Sequence, residues 1–132
     1  MQYFKISGIL YNIGKYEGGV QNVEINCVDR NGNLVVKIKG EIDHHSADDI
    51  RFNVEREFFK SKAKNIVFDF THVGFMDSSG IGMIIGRYKE LQKTGGKVFA
   101  INIGPEINRI FDISGLKKII YCFQSIDEVD EA

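Results

Sequence analysis

Two apolar spacings alternate along the chain from Val23 onward. Segments with an apolar residue at every second position, typical of a strand with one buried face, are followed by segments with apolar residues three and four apart, typical of an amphipathic helix. Because a helix is the usual connection between two parallel strands, this alternation predicts an α/β fold whose sheet is parallel in part. No other feature of the sequence restricts the possible folds as strongly.

The first part of the pattern predicts a β-hairpin. Residues 23–27 alternate between apolar and polar, and so do residues 34–42. Between them lies Asn31-Gly32, a pair that favours the two-residue turn in which both residues have positive φ. The sheet therefore begins with an antiparallel pair, and we expect it to be mixed.

Helices and strands then follow one another to the end of the chain. Strands are predicted at 66–70, 98–103 and 118–123, and helices at 47–60, 79–93, 105–115 and 125–131. Ser46 is predicted to be the N-cap of the first helix, in a capping box with Asp49, and Gly95-Gly96 to end the second. Since the strand at 35–39 keeps a polar face, we expect a mixed sheet of about four to five strands with about four helices on one face.

The length indicates one domain with an N-terminal extension. A chain of 132 residues suits a single domain with its own core, and we assign residues 21–132 to this domain. Residues 1–20 carry four glycines (Gly8, Gly14, Gly18 and Gly19) and only weak periodicity. Their sequence leaves three possibilities open: a flexible arm, an added strand or a remnant of cloning.

Composition excludes several classes of function. The 17 basic and 18 acidic residues leave a net charge of −1, which gives no long-range field for nucleic acid or an anionic membrane. No apolar run approaches the roughly 20 residues that span a bilayer. Cys27 and Cys122 lie far apart without a CxxC motif or an export signal, so we expect reduced thiols in a cytoplasmic protein. His44 and His45 are adjacent and diverge on a regular strand, so no metal site is expected.

Three phosphate or nucleophile motifs are nearly present but fail. Gly80, Gly82 and Gly86 have the spacing GxGxxxG rather than GxGxxG. Gly95-Gly96-Lys97 lacks the first glycine and the Ser/Thr of a P-loop. The GxSxG motif of serine hydrolases is missing, because Asp77 stands where that motif needs glycine. We therefore expect no bound cofactor and no catalytic site.

The candidate functional site is the segment 76–82, which joins a predicted strand to a predicted helix at the carboxyl end of that strand. In a structural interpretation Ser78 is the helix N-cap, Asp77 favours the positive helix end, and Gly80 and Gly82 permit tight packing. In a functional interpretation the Ser78 hydroxyl accepts a phosphate, which adds about −1.5 to −2 charges beside helix N–H groups that tolerate them. Such a phosphate would change the surface shown to a partner and leave the fold intact.

Neighbouring helix residues are further candidates. Gly82 and Gly86 are four apart and share one side of the helix, which leaves either a groove for a partner or close packing against the sheet. Arg87 is expected to reach the partner or a nearby acid. Phe75 and Met76 are expected to pack beneath the loop.

A second segment is predicted to join the site. Asp43, His44 and His45 end the second strand. Because adjacent strand ends bring their loops together, we expect these residues near the Ser78 loop. The alternative is a solvated turn in front of the first helix.

Four ordered segments resemble the signature of a known family. They are FMDSSGIG (75–82) with GRYK (86–89), GEIDHHS (40–46), GGK (95–97) and RIFDISGL (109–116). Together they resemble, over residues 23–123, the anti-sigma factor antagonists, small bacterial domains of the STAS type (sulfate transporter and anti-sigma factor antagonist). Asp43-His44-His45 and Gly86-Arg87-Tyr88 are more similar to the sporulation members, which act in the sigma-F switch, than to the general-stress members. Residues 1–19 have no counterpart in the family pattern.

The resemblance implies a regulatory domain that is not an enzyme, with a mixed sheet and helices on one side. Its partner is a cytoplasmic anti-sigma factor that is also a serine kinase and holds the nucleotide. The unphosphorylated domain binds this partner and frees the sigma factor. The kinase then phosphorylates the first serine of Asp-Ser-Ser-Gly, here Ser78, and the modified domain lets go. A serine phosphatase of the PP2C type reverses the step.

The expected partner contacts come from both segments, and other functions stay open. The contacts are Asp43, His44, His45, Asp77, Ser79, Gly80, Gly82, Gly86 and Arg87. One alternative is a general-stress antagonist, and another is a STAS scaffold in a larger signalling assembly. A third is an enzyme, either a nucleotide hydrolase or a protein phosphorylated on Asp77, with Asp69 and Asp77 holding Mg²⁺.

Overall fold

A mixed sheet of seven strands, which stand side by side in chain order, organises the structure. The structure, a computed structural model, describes the backbone of residues 2–6, 9–15 and 22–132 and the side chains from residue 23 onward. The strands are β1 (Gln2–Ile6), β2 (Ile9–Lys15), β3 (Asn22–Arg30), β4 (Asn33–Ile42), β5 (Asn65–Met76), β6 (Val98–Ile101) and β7 (Tyr121–Phe123). Neighbouring strands are antiparallel from β1 to β4 and parallel from β4 to β7. The prediction of a mixed sheet in an α/β fold is confirmed.

Four α-helices connect or follow the parallel strands. They are α1 (Ala47–Lys60), α2 (Ser78–Gln92), α3 (Pro105–Ser114) and α4 (Ile126–Asp130), and a 3₁₀ helix, Leu116–Lys118, precedes β7. The predicted order of a hairpin followed by alternating helices and strands is confirmed. β5 is longer than predicted and reaches the candidate site, whereas β6 and β7 are shorter. In the part of the chain that the structure describes, no helix is long and apolar enough to cross a membrane.

Backbone conformation explains two of the predicted boundaries. Asn31 (φ 51°) and Gly32 (φ 82°) both adopt the positive φ that the hairpin turn requires. α2 stops where Gly95 (φ 77°) takes the left-handed conformation and the Gly96 N–H donates to the Leu91 carbonyl at 2.8 Å. Both predictions are confirmed.

β1 and β2 form a hairpin that extends the sheet beyond β3. Residues 2–6 and 9–15 are therefore added strands of the sheet, and the origin and role of residues 1–20 stay open. Gly8, Gly18 and Gly19, on which the flexible-arm interpretation drew, lie outside the described residues. Residues 22–132 supply five strands, as predicted for the domain, and the extension adds two.

Helices cover both faces of the sheet. α1, α2 and α3 pack over the main hydrophobic core on one face. α4 lies on the other face, where Val129 packs in a second cluster with Val35 and Val67. The expectation that all helices lie on one face is therefore wrong for α4. Its reason lies in β4, where the successive residues Val35 and Val36 make both faces apolar, and the polar face begins only at Lys37.

Candidate functional site

The carboxyl ends of β4 and β5 bring two loops together. Ile42, the last residue of β4, is paired with Met76, the last residue of β5. Just beyond this pair, the Asp77 N–H donates to the Ile42 carbonyl at 3.0 Å. The loop 43–46 and the loop 77–80 therefore lie side by side at one edge of the sheet, as the sequence predicted.

Asp77, not Ser78, caps the start of α2. The Asp77 carboxylate accepts a hydrogen bond from the Ser79 N–H at 2.8 Å, and its carbonyl accepts from the N–H groups of Gly80 and Ile81. The predicted N-cap role of Ser78 is wrong, because the residue in front of it has the extended backbone and the acceptor that a cap requires. Ser78 is exposed in the first helical position, and its hydroxyl has no hydrogen-bond partner among the described residues.

The glycines of α2 have two different environments. A Cβ on Gly80 would overlap Met76 Cγ and would lie 2.8 Å from Ile42 Cγ2, so this glycine lets the helix start seat on the strand ends. A Cβ on Gly82 or on Gly86 would meet nothing within 4 Å. Tight packing is therefore confirmed for Gly80 and wrong for Gly82. Gly82 and Gly86 leave an open strip on the helix instead.

The loop 43–46 is held by hydrogen bonds of its own. Asp43 is only 8% exposed, and its Oδ1 accepts from the N–H groups of His45 (2.9 Å) and Ser46 (3.1 Å). The fully buried Ser46 hydroxyl donates to the Glu41 carbonyl (2.7 Å) and accepts from the Asp43 N–H (3.0 Å). The predicted capping box is wrong, since these bonds occupy the Ser46 hydroxyl. His44 and His45 are exposed, with ring centroids 3.8 Å apart.

Arg87 joins the two helices behind the site. It is 7% exposed, and its Nη1 lies 2.8 Å from Glu55 Oε2 on α1. Of the two roles predicted for this side chain, contact with a nearby acid is the one that the structure contains. Arg87 is buried, whereas the Glu55 side chain is 40% exposed, and the ion pair between them links α1 to α2.

Phe75 and Met76, predicted to pack together beneath the loop, point to opposite faces. Met76 is buried against Gly80, as predicted. Phe75 is 46% exposed, so the prediction for it is wrong. Phe75 therefore places an apolar side chain on the surface near the candidate site. The sequence could have predicted this exposure, because in a strand the residue next to the buried Met76 points to the opposite face.

Metal-ligating side chains are dispersed in the described part of the chain. No group of three His, Cys, Asp or Glu side chains among them could hold a metal ion. Asp69 and Asp77, the pair considered for Mg²⁺, are separated along β5 by roughly 20 Å. Both cysteines are free thiols, and burial raises the pKa of Cys27 to about 12, which leaves it protonated at neutral pH.

Comparison with known proteins gives one consistent result. The STAS domain family matches residues 23–129. An anti-sigma F factor antagonist of Paenibacillus polymyxa is 36% identical over 99 residues, covering 75% of this chain and 85% of the relative. An anti-sigma-B factor antagonist of Bacillus subtilis is 31% identical over 99 residues, 75% of this chain and 89% of the relative.

Solved structures with the same fold include the anti-sigma factor antagonist SpoIIAA. Its unphosphorylated form matches with a TM-score of 0.68 at 25% identity, over 92% of this chain and 94% of the other. The phosphorylated form, described as a Bacillus cell fate determinant, matches with a TM-score of 0.62 at 25% identity, over 92% and 97%. The fold of this chain is therefore similar to that of SpoIIAA in both forms.

Proposed function

Because this chain belongs to the STAS domain family, we propose that it is an anti-sigma factor antagonist controlled by phosphorylation of Ser78. The antagonist role is supported by relatives that carry this name. The proposed domain is residues 21–132, which include the whole family match. The greater identity to the sigma-F relative favours the sporulation type over the general-stress type.

The observation that carries the phosphorylation proposal is the free Ser78 hydroxyl. It is exposed, it starts a helix, and it has no hydrogen bond within the described residues. A kinase can therefore take this hydroxyl without breaking a bond of the fold. Ser79 differs, because it is half-buried and its N–H is tied to Asp77.

A phosphate on Ser78 acts on binding and leaves the fold unchanged. It adds about −1.5 to −2 charges at the positive end of α2, where the helix dipole favours anions. The phosphate leaves the helix cap in place, because the Asp77 carboxylate and not Ser78 provides the cap. An acidic or closely packed partner surface is repelled or blocked at this point. Without the phosphate, the surface around Ser78 allows the partner to approach closely.

The proposed contact surface combines exposed residues from both loops with part of α2. It consists of Ser78, the exposed His44 and His45 of the neighbouring loop, the exposed Phe75 near the end of β5, and the open strip of Gly82 and Gly86 on α2. Asp43, Asp77, Gly80 and Arg87 support this surface, and Ser79 lies at its border. Exposed rings beside a strip without side chains suit a partner that brings its own side chains close to α2.

The partner in this proposal is an anti-sigma factor with serine kinase activity that supplies the nucleotide. The domain itself is a substrate and a binding module, so it needs only an accessible serine and a matching surface. A PP2C-type serine phosphatase restores the binding form. A cytoplasmic location belongs to the same proposal, since the sigma factor and its regulators act there.

Incubation with the cognate kinase and ATP tests the proposal. We expect intact-mass analysis to find one added phosphate on the wild-type chain and on Ser79→Ala, and none on Ser78→Ala, which should still bind the unreacted kinase. A phosphate in the same loop of Ser78→Ala contradicts the assignment. Loss of the wild-type phosphate in mild base contradicts it too, because an acyl phosphate on Asp77 is labile there and a phosphoserine persists.

A further inference from the structure

β5 contains two more residues than β4 over the length in which the two strands are paired. The strands are paired at Asn33 with Asn65 and again at Ile42 with Met76. The pairing shifts by one residue between Lys37 and Lys39 of β4, and again between Gly40 and Glu41. β5 therefore bulges twice on its way to the candidate site. We call the first of these, which lies between Asp69 and His72, the Thr71 bulge.

One carboxylate oxygen holds the Thr71 bulge. Asp69 Oδ1 accepts hydrogen bonds from the Thr71 N–H (3.0 Å), from the Thr71 hydroxyl and from Asn102 Nδ2 (3.1 Å). Asp69 is 8% exposed and is paired with Lys37 across the strands. Asn102 directly follows β6 and has a φ of 58°. The same oxygen thus ties the extra residue of β5 to the end of the next strand.

We propose that Asp69 is a positioning residue for Ser78. By holding the Thr71 bulge, it sets the register in which the end of β5 lies beside the end of β4. This inference rests on the proposed function, in which Ser78 must meet a kinase. Asp69 itself lies far from Ser78 and acts through the strand between them.

The consequence of losing the bulge follows from strand geometry. A shift of one residue moves a strand end by about 3.3 Å and turns each side chain to the other face. The bulge allows Val73 to face the core, and the second bulge then returns Met76 to the core side. Without the first bulge Asp77 would no longer face the Ile42 carbonyl, and the Ser78 loop would leave its place beside the loop 43–46.

The protonation state of Asp69 agrees with this role. Burial alone would raise the pKa of this carboxyl. The hydrogen bonds from Thr71 and Asn102, with help from the charge of Lys37, outweigh burial and hold the pKa below its usual value. The group is therefore an anion at neutral pH and accepts from all three donors.

Asp69→Ala and Asp69→Asn form the test, because asparagine keeps an oxygen acceptor and alanine does not. In Asp69→Ala we expect the backbone amide resonances of Asp77, Ser78 and Ser79 to move and the rate of Ser78 phosphorylation by the kinase to fall about 100-fold, as for other small misplacements. Asp69→Asn should restore both towards the wild type. Val129→Ala is the matched control, since it loses stability through α4 on the same sheet face and should leave these amides in place.

The inference is overturned if these amide resonances do not move in Asp69→Ala, or if they move equally far in Val129→Ala. Should Asp69→Ala not fold, Asn102→Gly removes one donor at a position where glycine tolerates the positive φ. It should then move the same amides by less, and unmoved amides would again overturn the inference. If the amides respond as expected but the wild-type chain takes no phosphate, the proposed function fails and the positioning role of Asp69 stands.

Discussion

The loops 43–46 and 77–80 follow neighbouring strands and are built alike. In each, an aspartate carboxylate accepts from the N–H two residues later, His45 at 2.9 Å in one and Ser79 at 2.8 Å in the other. In each, the aspartate carbonyl accepts from the N–H three residues later at 3.1 Å. Asp-His-His-Ser and Asp-Ser-Ser-Gly are thus two versions of one helix-starting turn.

The loops differ in what fills the fourth position and in what the second position shows to solvent. Ser46 is buried with its hydroxyl hydrogen-bonded to the backbone, whereas Gly80 is buried in close contact with the side chains of Met76 and Ile42. The exposed second residue is an imidazole in one loop, His44, and an unbonded hydroxyl in the other, Ser78. The first and fourth residues of each loop therefore serve the fold, which leaves the second free for recognition or modification.

Substitution at the fourth position should have the largest effect on stability. Ser46→Ala leaves the Asp43 N–H buried without its acceptor and should cost about 1–3 kcal/mol. Gly80→Ala forces a methyl group against Met76 and Ile42 and should cost a similar amount, about 1–3 kcal/mol. Urea unfolding measures both, with Ser78→Ala as the control expected within about 0.5 kcal/mol of the wild type. Equal stability of Ser46→Ala and Ser78→Ala would remove the distinction between the two serines.

Substitution of the aspartates should have an intermediate effect. Asp77→Ala removes the helix cap and should cost about 1 kcal/mol, whereas Asp77→Asn keeps an oxygen acceptor and should cost much less. Asp43→Ala and Asp43→Asn should show the same order, because Asp43 has the same role in its loop. Thermal unfolding of the four variants checks this. A cost for Asp77→Asn as large as that for alanine would mean that charge, and not the hydrogen bond, stabilises the turn.

Periodicity and turn chemistry were enough to predict most of the fold. The hairpin followed from Asn31-Gly32, the end of α2 from Gly95-Gly96, and the order of the elements from the change between the two apolar spacings. Each of these signals depends on residues that are close in sequence. The meeting of the loops 43–46 and 77–80, which are distant in sequence, could be predicted from topology instead, because neighbouring parallel strands end at the same end of the sheet.

Features that depend on distant residues could not be predicted in this way. Ser46 fits a capping box with Asp49, but the position of the Glu41 carbonyl, which depends on how β4 ends, decides where its hydroxyl goes. Arg87 meets Glu55 only because α1 and α2 pack together. The bulges of β5 change which residues face the core, so simple alternation from 66–70 does not predict that Val73 is buried.

The exposed positions should change stability least and binding most. His44→Ala should stay within about 0.5 kcal/mol of the wild type, and Gly82→Ala should gain about 0.5–1 kcal/mol, since its Cβ meets no neighbour and alanine favours a helix. If the two loops form one contact surface with α2, both variants should nevertheless weaken binding of the anti-sigma factor about tenfold or more. Phe59→Ala is the control, because this exposed aromatic lies at the far end of α1. If both variants bind the anti-sigma factor with wild-type affinity, the partner uses another surface. Both variants are expected to fold, so a loss of binding would not be due to unfolding.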